Sequence, residues 1–420
     1  MRYMAEFQCI GSACEEHCCD NWRVAIDKDH YEKLKQMMSQ SRDLREEFAA
    51  AHRRVDPAKR TAGCFAMMNM KENGNCWMLE ADGLCATQRR FGAGALSNTC
   101  ALYPRRFSEH ANRLEMAGTL SCPEIARRVL LHDDALDLVD FDPTTLLSGR
   151  TSGTQRIDPR NAYAGYLDDI RSTVYELLSL PDYPLSVRLF CITFFAARTA
   201  EFFHKDVATV DEQRLSEAIR CLKSPAQRAE LCQWYEERAV PDKFIAKFVV
   251  ELLNVRVADG CLATFRDLVK RVLETYDRSA SDPGQPPLVP PVEQLTADYI
   301  QRKAALIGRF GGRIDRYFEN YAKNYWMKEW YGGSPNLLVH AQDLLVRIAV
   351  QRFMLFSLAN IPPDADEPEA IRLLDQEAVR VFYKFSRSIE HKRAFLNKLT
   401  QALEAPGMEM LAHTVCLIKF

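Results

Sequence analysis

Apolar residues recur at three- and four-residue spacing through most of the chain beyond residue 160, and that period predicts helices. It runs through "YAGYLDDIRSTVYELLSL", "SVRLFCITFFAARTAEFFHK", "DEQRLSEAIRCL" and "DKFIAKFVVELLNVRV". Five prolines between Pro283 and Pro291 interrupt it, and the period resumes in "LTADYIQRKAALIGRFGGRIDRYFENYAKNYWMKEW" and "DEPEAIRLLDQEAVRVFYKFSRSIEHKRAFLNKLTQALE". The first 130 residues read differently. Turn-rich stretches such as "MKENGNC" and "FGAGALSNTC" alternate there with short helical ones, among them "DKDHYEKLKQMMSQSRDLREEFAAAHRR". Strand signals are sparse and no internal repeat is detected. The expected fold is mostly α: an irregular, cysteine-rich metal-binding domain over 1–150, a helical domain over 151–282, a proline-rich connector over 283–292, and a helical region over 293–420 packed with the preceding one. No G-x-G-x-x-G follows a strand and no β/α alternation supports a Rossmann domain. "FGAG", "RFGGR" and "YGGSPN" read as isolated glycine turns.

Composition adds that these patterns belong to folded domains, since 47% of the 420 residues are hydrophobic and 27% charged. A net charge of −2 supplies no basic excess, so no nucleic-acid partner is expected. Arginines interrupt the most apolar stretches and residues 1–8 lack the apolar run of a signal peptide, so a cytoplasmic protein that neither crosses nor enters a membrane is expected. The oligomeric state is not legible.

Cysteine changes the picture most. Of the 14 cysteines, nine precede residue 123. Cys9, Cys14, Cys18 and Cys19 are followed by Cys76, Cys85, Cys100 and Cys122, with Cys64 apart. Clustered thiols in a reducing compartment suit a metal or redox centre. Thiolates are soft ligands, and zinc or a 4Fe–4S cluster would each use about four of them. The spacing matches neither common ferredoxin run, and iron–sulfur, zinc and redox-active pairing all stay open. The two quartets need not be two sites, because folding can bring Cys18 or Cys19 beside Cys76, Cys85 and Cys100. Cys191, Cys221, Cys232, Cys261 and Cys416 lie in helical patterns as small apolar residues.

The stretches "FQCIGSACEEHCCDNWRVAID", "NCWMLEADGLCATQRRFGAGALSNTCALYPRRF" and "LSCPEIARRVLL" resemble, in order and approximate spacing, the cysteine-rich part of the flagellin lysine-N-methylase family. The resemblance covers roughly the first third of the chain with specific motifs. It implies transfer of methyl groups from S-adenosylmethionine to lysine side chains of flagellin by a protein carrying a 4Fe–4S cluster. A broader family of small zinc- or iron-chelating proteins shares the cysteine style and keeps zinc as the alternative metal, together with a non-enzymatic metal-delivery or redox role. Carried over residue by residue, Cys9, Cys14, Cys18, Cys19, Cys76, Cys85, Cys100 and Cys122 match the family's cysteines, and Cys64 has no counterpart.

Two further groups are candidates for binding. Arg105 and Arg106 in "CALYPRRF" suit the carboxylate of the methyl donor, because guanidinium binds carboxylates through paired hydrogen bonds, although a surface salt bridge is the competing role. Tyr317, Tyr321 and Tyr325 share a helical face at i, i+4, i+8, with Trp326 and Trp330 beside it. Tyr321, Tyr325, Trp326 and Trp330 are the candidate substrate-binding residues, able to hold a lysine stem or a sulfonium cation over their rings. The same stripe suits a helix–helix core. No catalytic base is legible; His17, His110 and His340 are equally compatible with ordinary structural roles.

Overall fold

The computed structural model describes residues 1–20, 22–142, 144, 150, 153–239, 242–277, 291–390 and 410–419. The chain is mostly α-helical, as the period predicts. It divides into two compact units: Met1–Ser108, Leu114–Ile125 and Asp137–Gln155 form the first, and Glu109–Arg113, Ala126–Leu136 and Arg156–Phe420 the second. The connector expected over 283–292 lies outside the described residues up to residue 290; Pro291 then precedes the helix Val292–Lys328 at its N-cap.

In the first unit, Asp27 caps the helix Lys28–Met37 by accepting from His30 N–H at 3.1 Å. The helical pattern read as continuous here breaks at a 3-10 turn, Met38–Gln40. Ser41 restarts it as the N-cap of Arg42–Ala51, accepting from Leu44 N–H at 3.2 Å. Ser41→Ala should therefore cost about 1 kcal/mol in a urea unfolding measurement, while Ser41→Asp should hold near wild type. Strands β1 (Ala25–Ile26), β2 (His52–Arg54) and β3 (Ala66–Met68) form an antiparallel sheet in the order β1–β3–β2, with Ile26 opposite Ala66 and His52 opposite Met68. Under it lies a core of Ile26, Tyr31, Leu34, Met38, Phe48, Ala66, Cys76 and Met78, with Cys19 and Cys85 packed at its margin. Strands β4 (Arg105–His110) and β5 (Arg113–Gly118) form a hairpin turned by Ala111 and Asn112, both at positive φ (47° and 61°), with its tip Glu109–Arg113 counted in the second unit.

In the second unit, the helix Leu337–Leu358 is buried almost all round. It packs against Leu185–Thr199, Val292–Lys328, Glu367–Phe385 and Met410–Lys419. "RFGGR" is not a turn: Gly311 and Gly312 lie inside Val292–Lys328, and the helix is only kinked, at Phe310 (φ −128°, ψ 16°). Glycines weaken a helix without forbidding it, and packing of its apolar face carries the chain through. "YGGSPN" does turn, through the 3-10 segment Tyr331–Gly333, and "FGAG" turns at Gly92 (φ 76°). A single π-helical turn, Ser386–Glu390, ends the helix Glu367–Phe385. Among the described residues no helix is long and apolar enough to cross a membrane.

Candidate functional site

Eight of the nine cysteines of the first unit, all but Cys64, interact across the two sequence quartets. Cys76 N–H donates to the Cys19 carbonyl at 2.9 Å, which joins the two motifs through the backbone. The segment between Cys76 and Cys85 then folds back on itself: Leu79 N–H donates to Cys76 O at 3.0 Å, Glu80 N–H to Leu84 O at 2.9 Å, and Gly83 turns at φ +79°. Leu79 bridges Cys85 in antiparallel fashion, so both cysteines return to one side of the core.

Their thiols feel one another. Side-chain hydrogen bonding with Cys18 and Cys76, reinforced by burial, pushes the Cys19 thiol far up, and the bond with Cys19 pulls Cys76 down despite burial. Met78 N–H also donates to the Cys76 sulfur. Burial raises Cys85, against the N–H groups of Gln88 and Thr87 that favour its thiolate. Cys100 is pushed up to about 12 by burial, with Cys85, Cys76 and Cys18 adding charge repulsion against a hydrogen bond from Ser97. Cys19 thus hydrogen-bonds with Cys18 and Cys76, and Cys100 feels the charges of Cys85, Cys76 and Cys18.

Cys9 and Cys14 act on Cys122 through charge alone. Burial raises Cys122 to about 12, helped by the charges of Cys14 and Cys9 and opposed by N–H donation from Ile125 and Glu124. Arg105 feels two of these thiols. Burial lowers its pKa, while Cys9 and Cys122 offset that by stabilising the cation. Its guanidinium lies 5.1 Å over the Phe7 ring, and its buried Nε has no hydrogen-bond partner among the described residues. Arg106, the other expected carboxylate ligand, is exposed. Cys64 donates to Met67 Sδ at 3.7 Å, and Cys191 and Cys416 are buried in the helical unit.

This donor set suits a thiophilic centre. The sulfurs are soft, and Cys76, Cys85 and Cys122 are each favoured as thiolates by backbone N–H groups of the kind that tune thiolate ligands. Among the described residues no three His, Cys, Asp or Glu side chains close on a single point as a finished ligand set.

In the helical unit the aromatic stripe is inside. Tyr321, Tyr325 and Trp326 are each at most 3% exposed, and Trp330 is half-buried. Their hydroxyls meet charges that the helical period could not show. Tyr321 donates to Glu390 Oε1 at 2.8 Å, and Tyr325 to Asp343 Oδ2 at 3.0 Å. Glu390 is held by Lys328 Nζ at 2.7 Å and Ser386 Oγ at 2.8 Å, with Arg347 Nη1 at 3.7 Å. Burial opposes its charge, but Lys328 and Arg347 outweigh that and keep it ionised well below the usual carboxylate range. Arg347 also binds Asp343 at 2.8 Å and lies 5.2 Å from the Tyr325 ring centroid. His340 packs 4.7 Å from Tyr325 and 4.6 Å from Trp326, and burial pushes its pKa down to about 3. The indole N–H groups of Trp326 and Trp330 and Nε2 of His340 have no partner among the described residues.

The sequence reading missed Lys328, Asp343, Arg347 and Glu390. The available signal was polar residues at four-residue spacing, Asp343 and Arg347, inside the otherwise apolar run "LLVHAQDLLVRIAVQRF". Such residues inside a buried helix need partners.

Over 137 residues the chain is 32% identical to the flagellar biosynthetic protein FliU of Salmonella muenchen, covering 32% of this chain and 78% of that one. The same length matches at 32% identity the lysine-N-methylases of Salmonella typhimurium and Salmonella choleraesuis, covering 32% of this chain and 33% of theirs. The aligned part thus spans a third of the length of those two enzymes. No solved structure matches. The family described as the FliB lysine N-methylase C-terminal domain matches residues 171–417, the greater part of the helical unit. Because that match takes in more than half of the 420 residues, the chain belongs to the FliB lysine N-methylase family.

Proposed function

We propose that this protein methylates lysine side chains of flagellin with S-adenosylmethionine as donor, in the cytoplasm, and that its first unit carries a 4Fe–4S cluster. The observation that carries the reading is the family match over 171–417 beside a thiol-rich first unit. The name of the flagellar relative supports a flagellar substrate. Cys76, Cys85 and Cys100, with Cys18 or Cys19, would hold the cluster, whose contribution when bound is redox or Lewis-acid chemistry at iron. Arg105 offers a desolvated cation for the donor's carboxylate, which Arg106 on the surface matches less well.

The substrate amine must lose a proton before it attacks, since a lysine ammonium near its ordinary pKa of about 10.4 has no free electron pair. Burial around Tyr325 and Trp326 disfavours an ammonium in the same way. Trp330, the half-buried end of the stripe, is the member that a lysine stem can reach without unpacking the helix core. Protein loaded anaerobically with iron and sulfide, given S-adenosylmethionine and its cognate flagellin, should add 14-Da increments to flagellin lysines by mass spectrometry (one methyl for one hydrogen, about 14 Da each). Trp330→Ala should reduce that transfer about tenfold with cluster content unchanged, the scale of a lost aromatic–cation contact of about 1–2 kcal/mol. Absence of methylation with loaded wild-type protein would reject the enzyme assignment; full transfer by Trp330→Ala would reject only the path.

A further inference from the structure

His340 enters the helical core on the first turn of Leu337–Leu358, and its two ring nitrogens are held differently. Nδ1 lies 3.4 Å from Tyr325 Oη and 3.4 Å from Ser334 Oγ. The Tyr325 hydroxyl proton is committed elsewhere, facing Asp343 Oδ2 at 3.0 Å and the His340 carbonyl at 3.0 Å. Tyr325 Oη therefore offers the imidazole a lone pair, which assigns the ring proton to Nδ1 and the free lone pair to Nε2. Nε2 is buried without a partner among the described residues, and His340 as a whole is 2% exposed. Buried acceptors are nearly always satisfied, so one left over asks for a donor. Packing alone would be served by a phenylalanine here, between the rings of Tyr325 at 4.7 Å and Trp326 at 4.6 Å.

We infer that His340 Nε2 is the acceptor that receives the ε-amine of the lysine to be methylated, beside the rings of Tyr325 and Trp326. The inference rests on the lysine-methylating reading above and adds to it the atom that orients the nucleophile. Amine chemistry fits the vacancy. A free amine has N–H groups to donate and a lone pair left to attack, so one hydrogen bond to Nε2 fixes the nitrogen without engaging the pair. Burial disfavours a charged imidazolium, with Glu329 and Arg347 acting on the ring in opposite directions, and it disfavours an ammonium beside it as well. The site therefore takes the lysine in the neutral form that transfer needs, its proton left in solvent. Access is short. Ser334, which meets Nδ1, lies half-buried between exposed Gly333 and Pro335, so one turn of chain separates the imidazole from solvent. That turn follows Trp330, whose indole packs where a Cβ on Gly332 would lie, 2.5 Å away. Displacing the turn opens the way from Trp330 to His340.

The test uses the full chain with nitrogen-15 in its histidine rings, and N-acetyl-lysine amide as the probe. The lysine derivative should shift the Nε2 resonance that His340→Gln lacks, and the norleucine derivative, which has no amine, should leave it in place. In the transfer assay above, His340→Phe should lose methylation about tenfold to a hundredfold, the scale of one hydrogen bond lost at the reacting atom. His340→Gln should recover most of that loss, because its amide oxygen can accept near the Nε2 position. A purely structural histidine predicts the reverse order, since a phenylalanine ring keeps the aromatic packing and a buried glutamine amide disturbs it. Urea unfolding gives the folded fraction of each variant. Absence of the shift with the lysine derivative overturns the inference. So does wild-type transfer by His340→Phe, or transfer by His340→Gln no better than by His340→Phe at equal folded fraction. A shifted Nε2 in a loaded chain that methylates no flagellin rejects the reading above and leaves the lysine site standing.

Discussion

Glu390→Ala is expected to destabilise the protein by about 3–5 kcal/mol, the cost of stripping one partner from a buried ion pair. The side chains of Glu390 and Lys328 are 3% and 5% exposed and 2.7 Å apart, and that of Arg347, at 3.7 Å, is also 5% exposed. Without the carboxylate two cations face each other in the core, and Tyr321 and Ser386 lose their acceptor. The midpoint of urea unfolding reads the loss. Lys328→Met combined with Glu390→Leu should recover part of it, because the ammonium then leaves the core together with the carboxylate while Arg347 keeps Asp343. Equal destabilisation by the single and double changes would show that the packing, not the charge, matters.

The pH dependence has a definite sign. A carboxylate whose folded pKa is depressed contributes stability that is whole above its unfolded value of about 4.3 and disappears as the pH falls toward the folded one. Burial depresses His340 as well, from an ordinary value near 6.5 to about 3. The unfolded chain therefore binds a proton on this imidazole that the folded chain refuses, and stability falls as the pH drops from 6.5 toward 3. His340→Phe should flatten that upper part of the acid limb, and Glu390→Ala the part below about 4.3.

These charges explain what the sequence could and could not show. Helical spacing in "RYFENYAKNYW" placed Tyr317, Tyr321 and Tyr325 on one face, and they are on one buried face. What that face meets is set by residues far along the chain: Asp375 for Tyr317, Glu390 for Tyr321 and Asp343 for Tyr325. No local period carries those pairings. The glycine pair of "RFGGR" misled for the opposite reason, since a local turn signal was overridden by burial of Phe310 and Ile314 in the same helix. The clustering of cysteines was legible in the sequence, but not which of them interact. Cys14 and Cys18 are four residues apart, yet Cys14 acts on Cys122 while Cys18 acts on Cys19, Cys76 and Cys100. That division depends on two long-range contacts, Cys19 with Cys76 and the end of β5 with the start of β4, which only the folded chain supplies.

Cys76→Ser should abolish both cluster retention and methyl transfer, with the loss of transfer exceeding 100-fold, on the order of 3 kcal/mol or more in the barrier. Cys76 is 6% exposed, sits in the core of the first unit, and receives hydrogen bonds from the Cys19 thiol and Met78 N–H. Both bonds favour its thiolate, the form that would bind iron in the proposed cluster. Serine keeps the size and the hydrogen bonds but exchanges a soft donor for a hard one that iron–sulfur clusters hold poorly. Folding should survive the exchange. Cys221→Ser and Cys232→Ser are the controls, since these half-buried thiols lie in the helical unit and donate to Glu217 and Glu236. They should leave iron content and transfer to flagellin at wild-type levels. Iron and sulfide analysis with the visible absorption of the cluster gives one readout, and mass spectrometry of flagellin coexpressed with each variant gives the other. Cluster loss with transfer intact would make the cluster structural or dispensable, and equal losses in Cys76→Ser and Cys221→Ser would reject the assignment of the iron to the first unit.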